Sequence, residues 1–90
     1  MVPTAYPGKV PAPVTLYTRA GCHLCDDAHG VVTAVLAQMG ADPVDFQVVD
    51  IDTDPALRER YGDQVPVVTV AGATVGFWRI DPEVLRQALA

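Results

Sequence analysis

Cys22 and Cys25 are the two thiols of this 90-residue chain, and they stand three positions apart. Two thiols at this spacing can form a reversible disulfide, help to bind a metal ion, or simply fill an apolar core. One such pair cannot build the network of disulfides that stabilises many small secreted domains. The secondary structure predicted around the pair must therefore indicate which of the three uses applies.

The cysteines lie between a predicted strand, Val14–Thr18, and a predicted helix. β-Branched and aromatic residues alternate through VTLYT, which is typical of a strand. Apolar residues then recur at helical spacing from Leu24 to Met39, and Gly40 offers a stop. Cys22 is therefore expected at a helix N-terminus, where free N–H groups and the helix dipole stabilise an anion. This position favours the thiolate and lowers the pKa of Cys22.

Neighbouring charges make the two thiols differ further in how easily they ionise. Arg19 and a protonated His23 favour ionisation of Cys22, whereas the two aspartates that directly follow Cys25 oppose its ionisation. The amide N–H of Cys25, one turn into the helix, is expected to be a poor donor to the Cys22 sulfur. An attacking Cys22 and a resolving Cys25 form the asymmetric pair that thiol–disulfide exchange requires.

The other predicted elements complete one α/β domain. They are a strand over 46–52, a helix Ala56–Tyr61 capped by Asp54-Pro55, strands over 65–70 and 74–78, and a helix after Asp81-Pro82. The crossover helix makes the first two strands parallel, and the turn at residues 71–73 makes the last two a hairpin. The order βαβαββα predicts a mixed four-stranded sheet with helices on both faces.

Composition excludes several classes of function. The net charge is -5 and the six basic residues are scattered, which argues against binding nucleic acid through its phosphates. The sequence has no run of about 18 apolar residues, so no membrane span is predicted. Residues 1–13 hold four prolines and no hydrophobic signal region, so we expect a flexible leader before a domain over 14–90. The expected state is a cytoplasmic monomer.

Residues 14–90 resemble the glutaredoxin-like branch of the thioredoxin superfamily. Arg19 stands three positions before the segment Cys-His-Leu-Cys, where glutaredoxins carry a basic residue before Cys-Pro-Tyr-Cys. Val65-Pro66 matches the Val-Pro that precedes their third strand. The resemblance implies a thioredoxin-like three-layer α/β/α sandwich, thiol–disulfide oxidoreductase activity without a cofactor, and a cis proline that faces the cysteines.

The resemblance also assigns roles to residues. Cys22 and Cys25 are the implied catalytic pair, and the substrate is a disulfide of a protein or of a low-molecular-weight thiol. The residues implied to bind that substrate are Arg19, His23, Val65 and Pro66.

Two departures leave the thiol partner open. The dipeptide between the cysteines is His-Leu, and Phe77 and Arg79 stand where glutaredoxins have a glycine and an acid. Glutathione, mycothiol and a protein disulfide therefore all remain candidate partners. Phe77 and Trp78 are interpreted first as packing residues of the sheet and second as substrate contacts.

Two alternatives use the same cysteines differently. A metal or iron–sulfur carrier of this fold could use the cysteines with His23 and His29, or share a cluster between two chains. Four ligands from so short a segment would strain a tetrahedral site, so no metal ligand is assigned. In the other alternative the thiols are inert and the fold serves protein contacts.

Overall fold

A four-stranded mixed sheet lies at the centre of the computed structural model, which describes residues 13–40 and 46–89. The strands are β1 (Val14–Thr18), β2 (Phe46–Asp50), β3 (Val67–Val70) and β4 (Ala73–Phe77), in the spatial order β2-β1-β3-β4. β1 is parallel to β2 and antiparallel to β3, and β3 is antiparallel to β4. The predicted mixed sheet, with its parallel crossover and its hairpin, is confirmed.

Three helices cover the two faces of the sheet: α1 (His23–Met39), α2 (Pro55–Tyr61) and α3 (Pro82–Leu89). Alternation along β1 sends Leu16 into a core with α1 and α3, and Tyr17 toward α2 on the opposite face. This three-layer arrangement is the predicted α/β/α sandwich. Its larger core consists of Val14, Leu16, Ala28, Val32, Val35, Leu36, Val68, Val70, Ile80 and Leu85.

β2 is shorter than predicted because the chain turns after Asp50. The Asp50 carboxylate accepts the N–H of Asp52 at 2.9 Å, and a 3-10 helix (Ile51–Thr53) follows. Ile51 is fully buried in the smaller core beside Tyr61. The aspartate therefore ends the strand with a local turn, a competition that strand periodicity alone does not reveal.

The hairpin strands are also displaced from their predicted bounds. β3 begins at Val67, after Pro66, and β4 ends at Phe77 because Trp78 adopts a φ of 63°. The N–H of Trp78 donates to the carbonyl of Pro66 at 2.9 Å. This bond ties the end of β4 to the segment that leads into β3.

Local signals fixed the helix ends well. Gly40 ends α1 with a φ of 68°, and the Asp54 carboxylate caps α2 by accepting the N–H of Ala56 at 2.9 Å. The predicted leader lies outside the described residues except for Pro13, whose carbonyl accepts the N–H of Ala71. Within the described ranges, no helix has the length and apolar character needed to cross a bilayer.

Candidate functional site

Cys22 and Cys25 form a disulfide at the N-terminus of α1, with their Cα atoms 5.2 Å apart. Gly21 precedes them with a φ of 77°, a conformation that glycine adopts without steric cost and that turns the chain from β1 into the helix. Cys22 itself is extended, with φ -95° and ψ 107°, and occupies the N-cap position. The predicted location of the pair between strand and helix is thus observed.

The Cys22 sulfur is the acceptor that caps α1. The N–H of Cys25 donates to Cys22 Sγ at 3.1 Å, in the place where serine or aspartate usually supplies an oxygen. The expectation that this N–H would be a poor donor is therefore wrong, because residue N3 is the one whose amide points back at the cap side chain. The same N–H would stabilise a thiolate at Cys22.

Burial separates the two sulfur-bearing residues. Cys25 is 4% exposed and lies under the first turn of α1, whereas Cys22 is partly exposed. Cys22 is therefore the more accessible of the two to a substrate sulfur. The attacking and resolving roles assigned to the pair stay a prediction.

An open cavity of about 290 Å³ lies beside the disulfide. Arg19 and His23, both predicted as site residues, line it with the cysteines. Asp26, predicted to oppose ionisation of Cys25, and His29, considered with the cysteines as a metal ligand, line it as well. Val48, which sequence reasoning did not single out, also lines it. His29 follows Cys25 by one helical turn, so its spacing indicated that it lies near the cysteines. The sequence around Val48 gave no such indication, because it is the pairing of β2 with β1 that brings Val48 to the cavity.

Arg19 is engaged by an acid that sequence reasoning missed as a site residue. Its Nε lies 3.2 Å from Asp52 Oδ2, and its Nη2 lies 3.2 Å from Asp52 Oδ1. The Arg19 guanidinium at the cavity wall is therefore paired with the Asp52 carboxylate. The sequence predicted a strand through Asp52, so it indicated neither the turn after Asp50 nor Asp52 as the partner of Arg19.

Val65 and Pro66 lie at the same end of the sheet as the cysteines. β1 and β3 run antiparallel with Tyr17 opposite Val67, so the residues before β3 are level with the residues after β1. Pro66 is buried, Val65 packs against the smaller core, and the peptide bond between them is cis. Neither residue lines the cavity that contains Cys22.

A second groove lies on the other side of α1, toward β4. Leu24, Phe77, Trp78 and Arg79 line it. The rings of Phe77 and Trp78 meet edge to face at 5.1 Å and are 44% and 53% exposed. The Trp78 Nε1 also donates to the carbonyl of Asp63 at 2.9 Å, which is a further hydrogen bond between the end of β4 and the segment before β3. These rings are thus only partly packed, and their outer surfaces face the groove.

Across residues 13–40 and 46–89, no three or more His, Cys, Asp or Glu side chains are grouped so that they could hold a metal ion. The arrangement instead offers a partly exposed sulfur at a helix N-terminus, a buried partner sulfur and basic groups nearby. Those are the components of a thiol–disulfide exchange site.

Known proteins share this architecture. A family model described as Glutaredoxin-like domain (DUF836) matches residues 13–90. An uncharacterized protein of Mycobacterium tuberculosis is 33% identical over 79 residues, which cover 86% of this chain and 81% of that protein.

Two solved structures are also similar. A structural genomics target protein from X. campestris has a TM-score of 0.61 and 40% identity, over 82% of this chain and 91% of its own. A glutaredoxin from Brucella melitensis has a TM-score of 0.53 and 32% identity, over 80% of this chain and 75% of its own. Together with the family match over residues 13–90, these likenesses identify the chain as a member of the glutaredoxin-like domain family.

Proposed function

We propose that this protein is a thiol–disulfide oxidoreductase in which Cys22 attacks the substrate and Cys25 resolves the intermediate. One observation carries the proposal: the Cys22 sulfur accepts the N–H of Cys25 at 3.1 Å, while Cys25 itself is buried. An N–H that points at a sulfur favours its thiolate form, which is the nucleophile in exchange. Burial keeps the second thiol away from solvent until the first has reacted.

The proposed reaction has two steps. The Cys22 thiolate attacks one sulfur of the substrate disulfide, so that a mixed disulfide forms and the other substrate sulfur leaves as a thiolate. Cys25 then loses its proton and attacks the Cys22 sulfur, which releases the second substrate thiol. Two electrons pass to the substrate, and the protein is left with the Cys22–Cys25 disulfide. A thiol or a protein reductant returns it to the dithiol.

The proposed substrate is a protein disulfide or a disulfide of a low-molecular-weight thiol such as glutathione or mycothiol. Arg19 and His23 line the cavity beside Cys22 and supply basic groups for an anionic substrate. We propose that Val65 and Pro66, at the same end of the sheet, shape the neighbouring part of the substrate path. The protein is proposed to act as a monomer in the cytoplasm.

The test is the intact mass of the full chain and of its Cys25→Ser variant after equilibration in a graded series of glutathione redox buffers. The wild type should lose two hydrogen atoms at a defined potential as the disulfide forms. The Cys25→Ser variant should trap a glutathione adduct on Cys22, and a Cys22→Ser variant should trap much less on the buried Cys25.

The outcomes separate the candidate functions. Disulfide formation without an adduct would keep the oxidoreductase and direct the search to another thiol or to a protein substrate. A wild type that stays reduced throughout the series would contradict the proposal. Metal content of the gently purified protein would then test the carrier alternative.

A further inference from the structure

The short segment after β2 presents the Asp52 carboxylate from a well-ordered local structure. The Asp50 carboxylate accepts the N–H of Asp52, and Thr53 Oγ1 donates to the Asp50 carbonyl at 2.7 Å. Ile51, between them, is fully buried in the smaller core. The backbone of Asp52 is therefore fixed even though its side chain is 38% exposed.

The ion pair with Arg19 has two contacts. Nε and Nη2 of Arg19 each lie 3.2 Å from a different oxygen of Asp52. A pair with this geometry restricts the direction of the guanidinium more than a single contact does. Because both side chains are exposed, the pair itself contributes little to the stability of the fold. The effect of the ion pair is instead to hold the long Arg19 side chain in one position, because without it that side chain would sample many rotamers.

The placement matters because of what lies on the other side of the guanidinium. Arg19 lines the cavity that contains the disulfide, whereas Asp52 does not. The carboxylate thus holds the cation from outside the cavity wall. The other ionisable side chains that line this cavity are His23, Asp26 and His29, and none of them has a hydrogen bond to Arg19 or Asp52 among the described contacts.

We infer that Asp52 is a positioning residue for the thiol exchange proposed above: it holds the Arg19 guanidinium at the cavity wall, where the cation favours approach of an anionic disulfide to Cys22. The inference rests on the proposed function. It requires that Asp52 act through Arg19 alone. It also requires that loss of Asp52 weaken the attraction of Arg19 for an anionic disulfide. This is the opposite of what charge alone would give, because the loss of Asp52 removes a negative charge that would repel such a substrate.

The experiment compares an anionic and a neutral disulfide in the Cys25→Ser background, where only Cys22 reacts. The anionic probe is dithiobis(nitrobenzoate), which carries a carboxylate on each ring, and the neutral probe is dithiodipyridine. Each reaction forms a mixed disulfide on Cys22 and releases one coloured thiol, so the second-order rate constant is read directly. The measured quantity is the ratio of the anionic to the neutral rate constant.

The variants form a double-mutant cycle of Arg19→Gln and Asp52→Ala. Each single variant should lower the ratio by about two- to fivefold, as expected for an exposed charge contact. Asp52→Ala should have no further effect once Arg19 is replaced. Glu59→Ala, on the exposed surface of α2, changes the net charge equally and should leave the ratio unchanged. Asp52→Glu tests whether a longer carboxylate restores the ratio.

Three results would overturn the inference. A ratio that rises in Asp52→Ala would mean that Asp52 screens Arg19 and does not position it. An unchanged ratio would mean that Arg19 needs no partner. An equal fall in the Arg19→Gln background would mean that Asp52 acts without Arg19. If the parent protein does not react with either probe, the failure belongs to the proposed function and not to the role of Asp52.

Discussion

Cys22 combines a structural and a chemical role in one sulfur atom. The sulfur accepts the N–H of Cys25 and so caps α1, and it also forms the bond to Cys25. A neutral sulfur is a weak hydrogen-bond acceptor, whereas an ionised one makes a stronger, charge-assisted bond. Ionisation of Cys22 after reduction should therefore strengthen the cap. The helix and the nucleophile are coupled at this residue.

This coupling predicts a low pKa for Cys22. In reduced Cys25→Ser protein, the rate of alkylation by iodoacetamide should rise with pH through a midpoint below that of free cysteine, because the N–H of residue 25 favours the thiolate. Alkylation that is quenched at successive times and followed by mass spectrometry measures the rate at each pH.

The matched control is the Cys22→Ser variant, in which only Cys25 can react. Its alkylation should be slower, by about tenfold or more at neutral pH, because Cys25 is 4% exposed and an inaccessible thiol reacts slowly. In denaturant the two variants should react alike. A Cys25 that reacts as fast as Cys22 in the folded protein would contradict the assigned roles.

Among the elements, the β3–β4 hairpin is closed by a turn whose two central residues both have positive φ angles. Its strands pair Val70 with Ala73 across a two-residue turn at Ala71 and Gly72, whose φ angles are 51° and 84°. Two positive φ angles are the pattern of a type I′ turn, which suits glycine and asparagine but not alanine. The turn therefore contains one residue that is unfavourable for its conformation.

Replacement of Ala71 by asparagine should stabilise the protein. Asparagine tolerates a positive φ, and Asn-Gly is the favoured sequence for this turn, so the free energy of unfolding should rise by about 0.5–1 kcal/mol. Urea denaturation measures the change. Ala73→Asn, two residues later in the extended β4, introduces the same side chain and should not stabilise. Equal effects at the two positions would contradict the turn assignment.

At the scale of the whole molecule, one sheet separates two cores of unequal size. The larger core holds α1 and α3 on one face, and the smaller core holds Ile51, Tyr61 and Val67 on the other. Leu85 is fully buried and is the residue by which α3 enters the larger core. A domain of this size has a net stability of only about 5–13 kcal/mol, so each core contact matters.

Leu85→Ala should therefore destabilise the fold strongly. Removal of a fully buried leucine side chain costs about 2–5 kcal/mol, through lost burial and the cavity that remains. Val84→Ala is the adjacent control: its side chain is 43% exposed, and the change should cost about 0.5 kcal/mol or less. Urea titration of both variants decides the question. Similar losses at the two positions would contradict the packing of α3.

Local patterns predicted most of the architecture. The helical periodicity from Leu24, the stop at Gly40 and the cap at Asp54 each depend on neighbours within a few residues, and the structure confirms them. The alternating strands and the short connections then limited the topology. Cys22 was placed at the helix N-terminus for the same local reason. The turn at Asp50 was missed because its side chain competes with the strand for the next amide.

The sequence by itself thus determined the fold class, the family resemblance and the position of the Cys22–Cys25 pair at a helix N-terminus. Only the tertiary structure decided what surrounds that pair. Arg19 and Asp52 are 33 positions apart, and they meet because β1 and β2 are parallel and end at the same edge of the sheet. Such contacts depend on strand register and on the turn after β2, which no local spacing encodes.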